Sequence, residues 1–131
     1  MATIGEASAH SGVHVETIRY YERIALMPKP ERSPNGRRRY GADAMGRLVF
    51  IRRARELGFS LDNIRTLLTL RNDNAGCGKA RSLALRQRDV VRSKIKELKR
   101  LEQYLSRTTN LCTGERGECA IIDVLSAPLF E

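Results

Sequence analysis

Histidine and cysteine are scarce in this 131-residue chain, with two of the first and three of the second. Both histidines, His10 and His14, lie near the N-terminus, and no histidine–carboxylate or nucleophile–base constellation accompanies them, so an enzyme is not supported. Three cysteines cannot all pair within one chain, and an iron–sulfur cluster normally asks for four. In a reducing compartment so small a cluster is more often a metal or redox site than a structural staple. No window approaches the ~20 consecutive apolar residues that a membrane span needs. The opening "MATIGEASAHSGVHVET" also lacks the basic flank and apolar stretch of a signal peptide. A cytoplasmic location and no membrane partner are expected.

Positive charge is what the chain has in quantity. Lysine and arginine number 24 against 15 acidic residues, a net charge of +9. Such an imbalance makes a polyanion, nucleic acid first, the natural partner. The length suits one compact unit with an extended helix rather than two cores.

The stretch "TIGEASAHSGVHVETIRYYERIAL" reads as two short helices broken at Ser11-Gly12, with Ile4, Ala7, Val13, Ile18 and Tyr21 or Ile24 turned inward. Helix, glycine turn, helix is the outline of a DNA-binding helix-turn-helix. In its second helix Val15, Ile18 and Leu26 can face the core while Glu16, Thr17, Arg19, Tyr20 and Arg23 face out. The following "MPKPERSPNGRRRYG" holds three prolines that forbid regular helix. Its Asn35-Gly36 pair predicts a tight hairpin turn with two positive-φ positions. The return strand Arg37, Arg38, Arg39 and Tyr40 carries guanidinium groups on both faces, which suits a wing lying against phosphates.

Met45, Leu48, Val49, Ile51 and Ala54 predict a helix from Ala42 to Leu57 that closes on Gly58 as a left-handed cap. Ser60 is a good N-cap for another helix, "SLDNIRTLLTL". Asn72 to Gly76 breaks the pattern. From Lys79 to about Thr108 neither proline nor glycine occurs, and Ala84, Val91, Ile95, Leu98, Leu101 and Leu105 trace a seam for pairing with another helix. About 30 residues make a rod of roughly 45 Å, so a partner is expected, most simply a second copy in a homodimer. The basic residues Arg86, Arg88, Arg92, Lys94, Lys96, Lys99 and Arg100 read mainly as its solvated face.

Cys112 and Cys119 are separated by a loop containing Gly114 and Gly117 that can fold back and bring both sulfurs together. Cys77 lies before the rod and Cys112 after it. If two rods pack antiparallel, Cys77 of one subunit meets Cys112 and Cys119 of the other. Three thiolates suit Hg(II), Cd(II) or Pb(II), with Zn(II) possible if a fourth ligand is found. Glu115, Glu118 or water could provide one; His10 and His14 lie too far away in the helix-turn-helix. Ile121 and Ile122 can pin the loop against the helix pair.

Taken together, "TIGEASAHSGVHVETIRYYERIALMPKPERSPNGRRRYG" and "RRARELGFSLDNIRTLL" resemble the MerR family of bacterial transcription regulators over essentially the whole chain. The three cysteines look like its heavy-metal-sensing branch. The resemblance implies that Thr17, Arg19 and Tyr20 enter the major groove or bind its flanking phosphates, with Tyr21 supporting them. It implies that Arg32, Asn35, Arg38 and Tyr40 of the wing, and Arg55 on the next helix, hold the DNA backbone. Cysteine rather than serine at position 77 implies a divalent ion. Ser8, where such motifs often have alanine, and the added charges of Arg37 and Arg39 depart from the pattern.

The resulting expectation is a mainly α fold. Residues 1–71 form a winged helix-turn-helix, 72–78 a hinge with Cys77, 79–110 an antiparallel dimerisation helix, and 111–131 a metal-binding loop and tail. Its partners are double-stranded promoter DNA, a second copy and RNA polymerase. It would repress when metal-free and activate when metal binding distorts the DNA. A thiol-redox sensor on the same frame, with a Cys112–Cys119 disulfide, is the alternative, and a metal-buffering protein is a weaker third.

Overall fold

A computed structural model of the chain describes residues 1–71, 76–112, 114 and 119–126. Helix α1 (Ile4–Ser11) begins at a reciprocal cap. The Thr3 hydroxyl accepts from the Glu6 N–H, and the Glu6 carboxylate accepts from the Thr3 N–H, each at 3.2 Å. Two of the orphan amides of the first turn are thereby satisfied. The helix stops at Gly12, whose N–H reaches the Ser8 carbonyl at 2.8 Å, and the buried Ser11 hydroxyl accepts from the Val13 N–H at 3.2 Å. Helix α2 (Val15–Arg23) follows at once. The expected helix-turn-helix is present, with Ala7, Val13, Ile18 and Tyr21 buried and Ile4 and Ile24 packed against them.

Strands β1 (Glu31–Arg32) and β2 (Arg38–Arg39) pair antiparallel, Glu31 opposite Arg39 and Arg32 opposite Arg38. Their turn differs from the expected one. Gly36 is left-handed at φ 82°, but Asn35 is not among the positive-φ residues. The Gly36 N–H bonds to the Ser33 carbonyl at 2.9 Å and the Ser33 N–H to the Arg37 carbonyl at 2.9 Å. This is a three-residue loop, Pro34-Asn35-Gly36, in which proline takes the first corner of a turn and glycine the left-handed position after it. A two-residue turn would need an N–H from Pro34 to the Arg37 carbonyl, which proline lacks, so Ser33 closes the hairpin one residue earlier. The chain start closes the wing from the other side, through two bonds between Ala2 and Tyr40 at 2.8 and 2.9 Å.

Helix α3 (Ala42–Glu56) ends as expected on Gly58, which stands at φ 89°. The Phe59 N–H returns to the Ala54 carbonyl at 3.2 Å and the Gly58 N–H to that of Arg55 at 2.9 Å, a Schellman closure. Helix α4 (Leu61–Leu70) is capped by the Ser60 hydroxyl, which accepts from the Asn63 N–H at 3.1 Å. Helix α1 packs on α2 and α3, and α3 on α4. Ile18, Leu26, Met27, Leu48, Ile51 and Ile64 are wholly buried between them.

Helix α5 (Cys77–Leu111) is continuous for 35 residues and opens on Cys77 itself, two residues ahead of Lys79. Contacts divide the chain into two compact units, Met1–Gln87 and Arg88–Glu131. In the first, Leu83 of α5 joins the core and the Gln87 amide donates to the Leu57 carbonyl at 3.0 Å. In the second, α5 presents Val91, Ile95, Leu98, Leu101 and Leu105 to solvent, Leu98 with 64% of its surface bare. Helix α6 (Ala120–Ser126) completes this unit. No helix among the described residues is long and apolar enough to cross a membrane.

Candidate nucleic-acid interface and cysteine site

Helix α2 and the wing enclose a cleft of about 620 Å³ lined by Arg19, Glu22, Arg23, Lys29, Pro30, Arg32 and Arg38. Five of these seven are basic and one is acidic. The acid ties the two elements together. Tyr40 Oη donates to one oxygen of Glu22 at 2.5 Å while Arg38 Nε donates to the other at 3.2 Å. Tyr40 is only 2% exposed, and burial first, then the Glu22 hydrogen bond and charge, push its phenol well above the usual range.

The residues expected to meet DNA fall into distinct settings. Arg19, Arg32 and Arg38 line the cleft. Arg19 also pairs with Glu16 at 2.9 Å, and its Nε is buried without a partner among the described residues. Thr17 is half-buried on α2, and Tyr20 is 42% exposed, with the Arg23 guanidinium 5.8 Å from its ring centre. Tyr21 is buried, which raises its phenol pKa against the opposing charge of Arg55. At the wing tip, Asn35 Oδ1 accepts from the Ser33 hydroxyl and from the Arg37 N–H, and Arg32 donates to the Gly36 carbonyl at 2.8 Å. Arg55 donates to the Phe59 carbonyl at 2.9 Å. Tyr40 therefore sits behind the cleft, bonded to its wall residue Glu22, while Tyr21 belongs to the core. Sequence reasoning passed over Glu22 and Lys29; Glu22 was detectable as the single acid three residues beyond Arg19 in "RYYER".

At the other end of the chain Cys112 Sγ and Cys119 Sγ lie 3.9 Å apart, both partly buried and neither in a disulfide. Cys112 follows directly on α5, its N–H bonded to the Thr109 carbonyl at 3.1 Å. Cys119 precedes α6, its carbonyl accepting from the Asp123 N–H at 2.9 Å. The Ile122 N–H first, then the Cys112 thiol and the Ile121 N–H, hold the Cys119 thiol below the ordinary range, against partial desolvation and Asp123. The backbone of the Ile121-Ile122 pair thus faces the sulfur, a contribution that reading their apolar side chains could not anticipate.

The donor set fits a thiophilic cation. Two zinc-like metal–sulfur bonds of about 2.3 Å at a tetrahedral or trigonal angle separate the sulfurs by about 3.8–4.0 Å, and the longer bonds of larger thiophilic ions would part them somewhat further. Cys77 is exposed at the start of α5. His10 and His14 belong to the helix-turn-helix, and Glu115 and Glu118 lie outside the described residues.

Residues 2–70 match the MerR helix-turn-helix family of regulatory proteins, and residues 45–108 match the MerR DNA-binding family. The chain belongs to the MerR family. It is 40% identical over 125 residues to the mercuric resistance operon regulatory protein of Bacillus cereus, covering 93% of this chain and 95% of that one. It resembles the crystal structure of the transcription regulator PbrR691 from Ralstonia metallidurans CH34 in complex with lead(II), at TM-score 0.76 and 38% identity. That likeness covers 96% of this chain and 100% of the other. HiNmlR, a MerR family regulator lacking the sensor domain and solved bound to promoter DNA, is similar at TM-score 0.63 and 26% identity, over 83% of each chain. As a MerR-family transcriptional regulator the protein is not an enzyme, in line with its sequence.

Proposed function

We propose that this MerR-family protein is a metal-responsive transcriptional regulator that represses a metal-resistance promoter when metal-free and activates it, by distorting DNA, when a soft divalent ion is bound. The ion is Cd(II), Pb(II) or Hg(II), held by Cys112 and Cys119 with Cys77 of the partner subunit; Zn(II) would need a further ligand. Relatives named for mercuric resistance and for a lead(II) complex support this reading. The single observation that carries it is the 3.9 Å approach of two thiols at the end of a long helix on a DNA-binding frame.

The length of α5 supports ligation across a homodimer. Its 35 residues rise about 52 Å, and Cys77 is its first residue while Cys112 follows its last. The apolar row from Val91 to Leu105 would be covered by a second α5 running antiparallel. Residues 1–71 would read promoter DNA in contact with RNA polymerase, 72–78 would act as the hinge, its last two residues already in the first turn of α5, 79–110 would dimerise, and 111–131 would bind metal. Thr17, Arg19 and Tyr20 would meet the groove, and Arg32, Asn35, Arg38 and Arg55 the backbone, with Tyr21 and Tyr40 supporting from behind. A metal bound by these thiolates would supply a bridge between the two chains, and binding would bias whichever protein–DNA conformation holds the cysteines in place for it.

In vitro transcription from the native promoter, across Hg(II), Cd(II), Pb(II), Zn(II) and Cu(I) with thiols kept reduced, tests the reading. Activation by a divalent ion is expected, and Cys112→Ser and Cys119→Ser should each abolish it while promoter binding persists. Induction that survives both substitutions would sink the proposal. The same 3.9 Å spacing also favours the second reading, a Cys112–Cys119 disulfide sensor. Activation by an oxidant without metal would select it instead.

A further inference from the structure

Two arginines of the basic domain, Arg47 half-buried and Arg65 exposed, give donors to backbone carbonyls of a distant segment. The chain leaving α2 passes through Ile24, Ala25 and Leu26, and Ala25 stands at φ 59°, a left-handed conformation that is unfavourable for any residue with a Cβ. The Leu26 and Met27 N–H groups both return to the Tyr21 carbonyl, at 2.9 and 3.0 Å. The three carbonyls of this exit are taken up by side chains from distant elements. Arg65 of α4 donates from Nη2 to Ile24 at 2.9 Å and from Nη1 to Ala25 at 3.1 Å, and Arg47 of α3 donates from Nε to Leu26 at 2.8 Å.

We propose that Arg47 and Arg65 are positioning residues for DNA reading, which lock the end of α2, and with it the wing that follows, onto α3 and α4. A planar guanidinium can serve two successive carbonyls at once, which an ammonium cannot do in the same geometry. Arg47 is moreover half-buried, and that burial first, then the charges of Arg71 and Arg65, disfavour its own charge. A residue kept only for solubility has no reason to sit there. Their function is to set the angle of α2; phosphates are met by other residues. The inference rests on the reading of α2 as the helix that enters the groove.

Salt dependence separates positioning from phosphate contact, because each neutralised phosphate adds close to one to the slope of log affinity against log salt. Full-length wild type, Arg65→Met, Arg65→Lys and Arg19→Ala are compared on two duplexes over a salt series. One duplex is the inverted repeat that the wild type recovers from random-sequence DNA, and the other is a scrambled duplex of equal length. Arg65→Met is expected to lower the ratio of selected to scrambled affinity roughly tenfold, about one such pair of hydrogen bonds, with the salt slope unchanged. Arg65→Lys, which keeps the charge and one donor, should lie between, and it carries the comparison alone if the methionine variant does not fold.

A slope reduced by about one for each substituted subunit, with both duplexes weakened alike, would make Arg65 a phosphate contact and overturn the inference. An unchanged ratio alongside a lowered melting temperature would reduce it to a fold-stability residue and overturn the inference equally. Arg19→Ala serves as the control. If it lowers the ratio and Arg65→Met does not, only the inference falls. If neither does, the reading of α2 falls and the inference falls with it.

Discussion

At the scale of single residues, Tyr40 shows how a predicted contact residue can act from behind the surface. Its aromatic "RRY" position was legible in the sequence, but its burial was not, because the Glu22 carboxylate that receives its hydroxyl lies 18 residues away. The sign of its pH dependence follows from the raised phenol. Below about pH 10 both folded and unfolded chains keep the proton and the stabilisation is complete. Above it the unfolded chain ionises while the folded one does not, so stability falls as pH rises through the folded value. Tyr21, raised by burial, acts in the same direction. Tyr40→Phe should therefore cost about 1–2 kcal/mol at neutral pH, leaving Glu22 to Arg38 alone, and should make the alkaline decline shallower. Urea unfolding between pH 7 and pH 11 reads both effects; an unchanged alkaline slope would contradict the account.

At the scale of elements, helix ends were the most readable features. Ser60 and Gly58 cap where their chemistry requires, since cap preferences are local to three or four residues. The wing turn departs from the two-residue expectation because Pro34, directly before Asn35-Gly36, occupies the first corner and lengthens the loop. The exit of α2 was unreadable, since its bonds to Arg47 and Arg65 span 21 to 41 residues. That exit also stores a local cost at Ala25, whose left-handed backbone glycine adopts freely. Ala25→Gly should raise stability by about 0.5–1 kcal/mol, the left-handed penalty less the extra chain entropy of glycine, seen as a higher urea midpoint at unchanged m-value. A lower midpoint would mean that the methyl group packs usefully.

At the scale of the whole molecule, the long helix and the approach of Cys112 to Cys119 were legible from the unbroken seam and the glycines between the cysteines, whereas the start of α5 on Cys77 itself, ahead of Lys79, was not. A site shared between subunits predicts complementation. Cys77→Ser homodimers and Cys112→Ser/Cys119→Ser homodimers should each lack the complete three-thiolate site, while heterodimers mixing the two should bind one tight metal ion, half the wild-type stoichiometry. Equilibrium dialysis of tagged, purified heterodimers measures this, and no recovery of tight binding would place all ligands within one chain. The Glu22 bridge has its own bearing on how such a dimer finds its site. If Arg38 meets a DNA phosphate as proposed, Glu22, already paired with its Nε at 3.2 Å, would compete with that phosphate for the guanidinium. A protein with net charge +9 would otherwise cling to every stretch of genome it touched. Such a competitor would weaken that indiscriminate hold and leave full engagement to a site whose shape satisfies α2 and the wing together, shortening each wrong stop.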